Sequence, residues 1–294
     1  MNYKLCFEEK ANSGELAAKE ADLALFFVDI LEKGYEKYSE RYHKCLKKQT
    51  EKNVHQLRVS IRRLQAKVQL INSLHKTAYS GQLIRMLKDN LKAFGTLRDL
   101  QVMLEHLGEI RHQAHELNYF YHYLLKKEEK LIKSAIAKLD DIDLSEFESV
   151  LFFIKNNIRH NAASVDFSIN RLIEVIDESF NKVMNRVSQV DYNKTTTIHK
   201  VRIAFKKFRY MIESAAPLIG LGKQQLKELS EFQSLLGAIQ DSEVYTAELT
   251  DFITIQEEIP KKAFTDSLRL AEEHKNLVLN RYRANAGKLT KFWH

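Results

Sequence analysis

VHQLRVSIRRL, the stretch at residues 54–64, has a counterpart at residues 198–208 that reads IHKVRIAFKKF. The two stretches match in residue type at every position except the third and the seventh, and their histidines, His55 and His199, lie 144 positions apart. In both stretches the apolar residues recur at the three- and four-residue spacing of an amphipathic helix. Both are therefore predicted to be copies of one helix with a buried apolar face.

A second pair of matching segments lies downstream of the first. Residues 94–99 read FGTLRD and residues 236–241 read LGAIQD, at an offset of 142 positions. Two matches at nearly the same offset indicate duplication of a longer unit. The unit has room for about four helices, so the predicted fold is all-α, with two antiparallel four-helix bundles related by internal duplication. The predicted halves are residues 1–142 and 143–294, with an extra helix at about 144–157 where they join.

The composition favours helices over strands. The 294 residues include only nine glycines and two prolines, and these are the residues that tight turns require. Strand-rich folds and Gly-rich nucleotide-binding folds are therefore disfavoured. Apolar residues make up 44% of the chain, which excludes a disordered chain. The apolar periodicity and the turn residues predict helices at about residues 15–48, 54–74, 80–106, 112–139, 144–157, 167–187, 195–216, 223–255 and 260–292.

Charge and cysteine content bear on the partner and the compartment. The net charge of +7 favours an acidic partner such as nucleic acid, an anionic lipid or a phosphate polymer. Two cysteines, Cys6 and Cys45, are too few for a disulfide framework. No signal sequence is recognised, and the longest apolar stretch near the N-terminus, residues 23–28, is far shorter than the roughly 18–20 residues of a membrane span. We expect a cytoplasmic protein with no membrane partner.

A row of basic residues borders the predicted apolar face of both repeated helices. No acidic residue occurs among the four residues after either histidine, so the row lacks the i+4 partners that a solvated face usually carries. Clustered like charge costs stability, and its repetition therefore indicates a binding function. The row consists of His55, Arg58 and Arg62 in the first copy and of His199, Arg202, Lys206 and Arg209 in the second, with Arg63 and Lys207 on the outer side.

The segment at about residues 80–106 has a basic edge of the same kind. Asp99 lies on this edge, and Asp241 is its counterpart in the second copy; we expect both to orient the arginines. Arg98 falls within the apolar stripe, where Gln240 is its counterpart, so Arg98 needs a polar partner or a water-filled groove. The second tier of candidate binding residues is Arg85, Lys88, Lys92 and Arg98.

The spacing of the cations favours an extended anion. Side chains three or four residues apart on a helix lie about 5–6 Å from each other, which suits a chain of closely spaced negative groups. Arg offers several donors to phosphate oxygens and Lys a point charge. Proteins that bind single-stranded nucleic acid add aromatic platforms for the bases, and Tyr210 is the one candidate in this row. A phosphate polymer without bases is favoured, and nucleic acid or another general polyanion is the alternative.

Catalysis and metal binding are less favoured by the sequence. The two repeated histidines lie among Arg and Lys and have no Cys or carboxylate at ligand spacing. His112, His115 and Glu116 share a helix face near His122 and form a weak candidate metal site. No pairing of a nucleophile with a base is recognised. We expect a non-catalytic protein with no cofactor and no metal; a metal-dependent phosphate enzyme that uses the histidines is the third hypothesis.

The duplicated His-x-x-Arg helix, followed in each half by a Gly-x-x-x-Asp segment, resembles the CHAD family (conserved histidine α-helical domain) over about residues 8–292. The resemblance implies two four-helix bundles related by a pseudo-two-fold axis, with a basic groove or pore between them. It also implies binding of inorganic polyphosphate and, as in some members, location at polyphosphate granules. The family's basic positions correspond to His55, Arg58, Arg62, Arg63, His199, Arg202, Lys206, Lys207 and Arg209.

Two positions depart from the family pattern. Gln65 stands where a further basic residue often occurs and where the second copy has Arg209, and Gln240 replaces the arginine of the second Gly-x-x-x-Asp segment. The resemblance therefore implies a groove that is electrostatically asymmetric. Many relatives also carry a CYTH triphosphatase domain, but the Glu-x-Glu-x-Lys pattern of that domain is not found on a predicted strand here. Triphosphatase activity is not expected.

Overall fold

The computed structural model describes residues 13–161 and 168–293, and these residues form helices joined by short connections, with no strand among them. Cys6, one of the two cysteines, lies outside the described residues, whereas Cys45 is buried and has a free thiol. The α-helices are α1 (Ser13–Lys47), α2 (Glu51–Leu74), α3 (Ala78–Ala93), α4 (Gly95–Ile110), α5 (Glu116–Asp140), α6 (Leu144–His160), α7 (Ile169–Val187), α8 (Thr195–Ile219), α9 (Lys223–Ile255) and α10 (Thr265–Asn285). Short 3₁₀ turns cover Arg111–Gln113, Lys261–Phe264 and Ala286–Lys291.

The prediction of a single helix at residues 80–106 is wrong, because the chain breaks between α3 and α4. Phe94 leaves helical geometry there, with φ −107° and ψ 5°. Its side chain is fully buried in the core, and Gly95, the next residue, has a weak helical preference. The corresponding segment of the second half, around Gly237, lies inside the uninterrupted helix α9. The repeat therefore preserves the sequence pattern but not the helix break.

The helix ends are fixed by specific residues. Asp143 accepts hydrogen bonds from the hydroxyl of Ser145 and from the backbone N–H groups of Ser145 and Glu146, and these bonds hold the pKa of its carboxyl below the usual range. Asp143 is the N-cap residue of α6, a position that favours an acidic side chain. Pro217 lies inside the final turns of α8, beyond the predicted end of that helix at residue 216. The helix ends instead at Gly220, whose φ of 67° is a conformation that suits glycine.

The packing partners follow a similar order before and after α6. Before it α1 packs on α2, α2 on α3, and α4 on α5; after it α7 packs on α8, α8 on α9, and α9 on α10. Helix α6 itself packs on α1 and α3. The two repeated helices, α2 and α8, also pack directly against each other. This contact brings the two basic rows together.

The apolar interior is shared between the halves. The larger cluster of buried residues extends from Phe27 of α1 through α2 and α8 to Phe232 of α9. A second cluster, here called the tip cluster, joins parts of α4 and α5 to parts of α9 and α10. In this cluster the ring of Phe120 on α5 lies 5.2 Å from the ring of Phe252 on α9, between centroids. The buried apolar surface therefore does not divide at residue 142.

Candidate cation site between the repeated helices

Three cations from α2 and α8 form what we call the cation cluster: Arg62, Arg202 and Lys206. Arg62 lowers the pKa of both Arg202 and Lys206, so the three positive charges lie close enough to repel one another. All three side chains are partly accessible to solvent. Within the described part of the chain, none of them lies within 4.0 Å of a carboxylate oxygen. The cluster therefore carries positive charge that the described residues do not pair.

Arg202 has a donor with no partner among the described residues. Its Nε atom is buried and makes no hydrogen bond. Burial is the main cause that lowers the pKa of its guanidinium, and the negative charge of Asp241 opposes the shift. A buried N–H without an acceptor costs free energy. An anion that reaches the guanidinium would supply the missing acceptor.

The pKa of Lys206 is strongly lowered by this environment. Burial, followed by the charges of Arg62 and Arg202, lowers the pKa of its amine to about 6. At neutral pH a large share of Lys206 is therefore neutral in the free protein. An anion placed beside the amine would favour its charged form and raise the pKa again.

Arg58 is held in a different way from Arg202, although the two occupy equivalent positions. It is buried, with 6% of its surface exposed, and its Nη1 donates a hydrogen bond of 2.9 Å to the carbonyl oxygen of Leu91. Leu91 is in the last turn of α3, where carbonyl groups lack helical partners. Burial, followed by the charge of Arg62, lowers the pKa of Arg58 to about 10. Arg58 thus supplies a hydrogen-bond donor to a carbonyl group in the last turn of α3, a role that the sequence repeat does not reveal.

The two histidines lie at the starts of α2 and α8 and meet different partners. His55 is exposed, and its pKa is lowered by burial of part of the ring and by Arg98. Arg98 in turn donates a hydrogen bond of 2.5 Å to Glu51 Oε1, which confirms that it has a polar partner. His199 places its Nδ1 against Oε1 of Gln240. Since a carboxamide oxygen accepts, the Nδ1 of His199 donates to it, and the Nε2 is left for another contact.

The two carboxylates predicted to orient the arginines act at longer range. Asp99 opposes the charges that lower the pKa of Arg58 and Arg202, and Asp241 opposes them at Arg202. Asp241 as a whole residue is exposed to solvent, yet partial burial of its carboxyl raises the pKa, and the negative charge of Asp99 raises it further. In the described residues neither carboxylate hydrogen-bonds an arginine. Their orienting role stays a prediction.

Three predicted binding residues differ from the cation cluster in exposure or pairing, although the charge of Arg209 also lowers the pKa of Lys206. Arg63 is exposed, with its Nε 3.9 Å from Glu213 Oε2. Lys207 is exposed as well, and its pKa is lowered by partial burial and by Lys182 of α7. Arg209 is buried; its Nε donates to Gln233 Oε1 at 2.7 Å and its Nη1 lies 2.7 Å from Glu213 Oε1. The guanidinium of Arg209 is therefore already paired.

The second tier of basic residues does not join the cluster. Arg85, Lys88 and Lys92 are exposed on α3, and Lys92 lies 3.5 Å from Asp89 on the same helix. No charge from α3 is among the causes that shift the pKa of Arg58, Arg202 or Lys206. Only Arg98, which begins the next helix, is electrostatically linked to the row on α2.

The described residues also bear on the metal and membrane expectations. These residues contain no group of three or more His, Cys, Asp and Glu side chains arranged to hold a metal ion, the region of His112 included. None of the helices, over the ranges given above, is long and apolar enough to span a membrane. Tyr210, the one aromatic residue of the basic row, is buried. The Cζ atom of Arg209 lies over its ring, 4.6 Å from the ring centroid.

The architecture is that of an all-helical protein in which two copies of a basic helix pack together. A family model described as CHAD domain matches residues 29–250, which is most of the chain, and the chain belongs to that family. The fold is similar to the CHAD domain from the plant Ricinus communis, at 19% identity and a TM-score of 0.65, covering 92% of this chain and 90% of that one. It is also similar to PptA from Streptomyces chartreusis, at 14% identity and a TM-score of 0.62, covering 91% and 99%. No curated protein matches this chain.

Proposed function

We propose that this protein binds inorganic polyphosphate, without catalysing a reaction on it, at the cation cluster between α2 and α8. The observation that carries the proposal is the set of three cations, Arg62, Arg202 and Lys206, that lack a carboxylate partner within 4.0 Å among the described residues. Phosphate oxygens would accept from both guanidinium groups and from the amine. The family resemblance supports the same ligand.

In this proposal the two halves are duplicated bundles, and the polymer lies in a basic groove where they meet. The matching order of helix packing supports the duplication. His55 and His199 donate to phosphate at the two ends of the cluster, since a neighbouring phosphate raises the pKa of a histidine. The protein works in the cytoplasm, at polyphosphate granules. Its ligand requires no base-stacking surface, which agrees with the burial of Tyr210.

A titration with long-chain polyphosphate at near-physiological salt tests the proposal. We expect binding that a large excess of single-stranded DNA or RNA does not displace, and no release of phosphate from the polymer. Displacement by nucleic acid at equal phosphate concentration would identify a general polyanion surface. Phosphate release that His55→Ala abolishes, together with a stoichiometric metal in the purified protein, would overturn the proposal in favour of an enzyme.

Binding is expected to be coupled to the uptake of about one proton at pH 8. The free protein holds the pKa of Lys206 at about 6, so the amine is neutral at this pH, and bound phosphate shifts the pKa upward until the amine is charged. Affinity should therefore fall as pH rises from 6 towards 10. Calorimetric titration in two buffers of different ionisation enthalpy measures the uptake.

The control for this prediction is Lys206→Met, which keeps the length of the side chain and removes the titrating group. It should bind without the additional proton, and its affinity should depend less on pH over the same range. Equal proton uptake by the variant and the parent protein would assign the effect to the histidines and contradict the role of Lys206.

A further inference from the structure

A cavity of about 500 Å³ is lined by residues of α2, α8 and the start of α9. Four of its lining residues are cations, and the single carboxylate is that of Glu213. Glu213 is already occupied, because Arg209 lies 2.7 Å from its Oε1. The cavity therefore carries an excess of positive charge. The four cations are Arg63, Lys67, Lys223 and Lys227.

One of these cations, Lys67, is held in place by the neighbouring helix α1. Lys67 donates a hydrogen bond of 2.9 Å from its Nζ to the carbonyl oxygen of Ile30 on α1. Gly34 leaves space for this side chain, because a Cβ on Gly34 would lie 3.2 Å from the Nζ. The pKa of Lys67 is lowered by burial and then by the charge of Arg63. Both observations place the ammonium group of Lys67 in a confined and positive environment.

The first turn of α9 supplies the opposite wall. Lys223 is the first residue of this 33-residue helix, and the side chain of Gln225 accepts a hydrogen bond of 2.6 Å from the backbone N–H of Gly222. The positive end of the helix dipole lies beside Lys223. Lys227 lies one turn later, 3.7 Å from Glu231, in a pair whose side chains are both mostly exposed. Such a pair is weak and readily exchanged for another anion.

The cavity lies close to the cation cluster along α2 but on another side of that helix. Arg63 and Lys67 follow Arg62 by one and five residues, which is roughly 1.5 and 7.5 Å along the helix axis and about 100° and 140° around it. The cavity lining includes neither Arg62 nor Lys206. A polymer held by Arg62 and Lys206 must therefore pass around α2 to reach the cavity, which requires a chain of several phosphate units.

We propose that this cavity is a second anion site, which binds phosphate groups of a chain already held at the cation cluster and so gives the protein a preference for long chains. The inference rests on the proposed function, since it takes the same polymer as ligand. A short oligophosphate fills the cluster alone, whereas a long chain occupies both places. Simultaneous occupancy makes the second contact intramolecular and raises the affinity for the long chain.

The test compares long-chain polyphosphate with tripolyphosphate on Lys223→Gln/Lys227→Gln. Both lysines are exposed, so the fold should be retained. Affinity for the long chain should fall about tenfold, since each exposed charge contact contributes up to about a factor of five. The slope of log affinity against log salt should decrease by about one to two. Affinity for tripolyphosphate should stay within twofold.

The matched control is Lys261→Gln/Lys262→Gln. These two lysines are also exposed, and they lie in the 3₁₀ turn that follows the other end of α9, roughly 45–50 Å from Lys223 along the helix. The control should retain its affinity for both ligands. If Lys223→Gln/Lys227→Gln lowers the affinity for both ligands equally, or for neither, while the parent protein still binds polyphosphate, the second site is overturned. Absence of binding by the parent protein would overturn the proposed function itself.

Discussion

Replacement of Arg62 and Arg202 together by alanine should lower the affinity for long-chain polyphosphate about 100-fold. Each guanidinium offers charge-assisted hydrogen bonds to phosphate, and one such bond contributes about 1.5–3 kcal/mol. A 100-fold loss corresponds to about 2.8 kcal/mol, the lower end of what two lost contacts predict. The slope of log affinity against log salt should also decrease by about one to two, since two charged contacts are removed.

The same double substitution should leave the fold intact or make it more stable. Arg62 and Arg202 repel each other in the free protein and disfavour the charged form of Lys206. The substitution also removes the buried Nε of Arg202, which has no hydrogen-bond partner among the described residues. Thermal unfolding in the absence of ligand measures this. The control is Arg186→Ala/Arg281→Ala, which removes two exposed arginines from α7 and α10. A similar loss of affinity in the control would show that net charge, and not the cluster, determines binding.

Arg58→Ala should destabilise the protein by about 3 kcal/mol, in contrast to Arg202→Ala, which should change stability by less than about 1 kcal/mol. The alanine removes the donor to the carbonyl oxygen of Leu91 and leaves a cavity where a buried side chain packs. Among the described residues, the equivalent arginine on α8, Arg202, donates to no such carbonyl, and α9 is not interrupted beside it. Urea unfolding of the two single variants measures the difference.

A second variant keeps this prediction testable if Arg58→Ala does not fold. Arg58→Lys retains one charged donor but loses the flat guanidinium, and should lie between the parent protein and Arg58→Ala in stability. Equal stability of the Arg58 and Arg202 variants would contradict the asymmetry of the two positions. Because Arg58 stabilises the fold, a variant that removes both Arg58 and Arg202 is a poor test of ligand binding.

The amphipathic helices and their repeat were predictable because the three- and four-residue spacing of apolar positions follows from helix geometry. Val54 and Ile198, which open the repeated stretches, are both buried as that spacing predicts. The break at Phe94 was not predictable in this way. It depends on the burial of one aromatic ring and on a guanidinium from another helix, and neither contact is local in the sequence.

The candidate site was predictable in its residue types but not in its pairing. The sequence places Arg209 in the basic row, yet tertiary packing puts Glu213 and Gln233 beside its guanidinium. Lys67, Lys223 and Lys227 were not candidates, because the first is outside the repeated pattern and the other two are brought to it only by the packing of α9. A helical wheel predicts the direction in which a side chain points. The residues that pair with that side chain come from neighbouring helices, which the wheel does not include.

The tip cluster has a consequence for synthesis of the chain on the ribosome. Phe120 and its apolar neighbours on α4 and α5 are covered by Phe252 and Phe264, which are translated much later. At about 5–20 residues per second, the delay is on the order of ten seconds. During this interval the nascent chain exposes an apolar surface that nothing yet covers, so production of this protein should depend on chaperones that bind such surfaces until translation is complete.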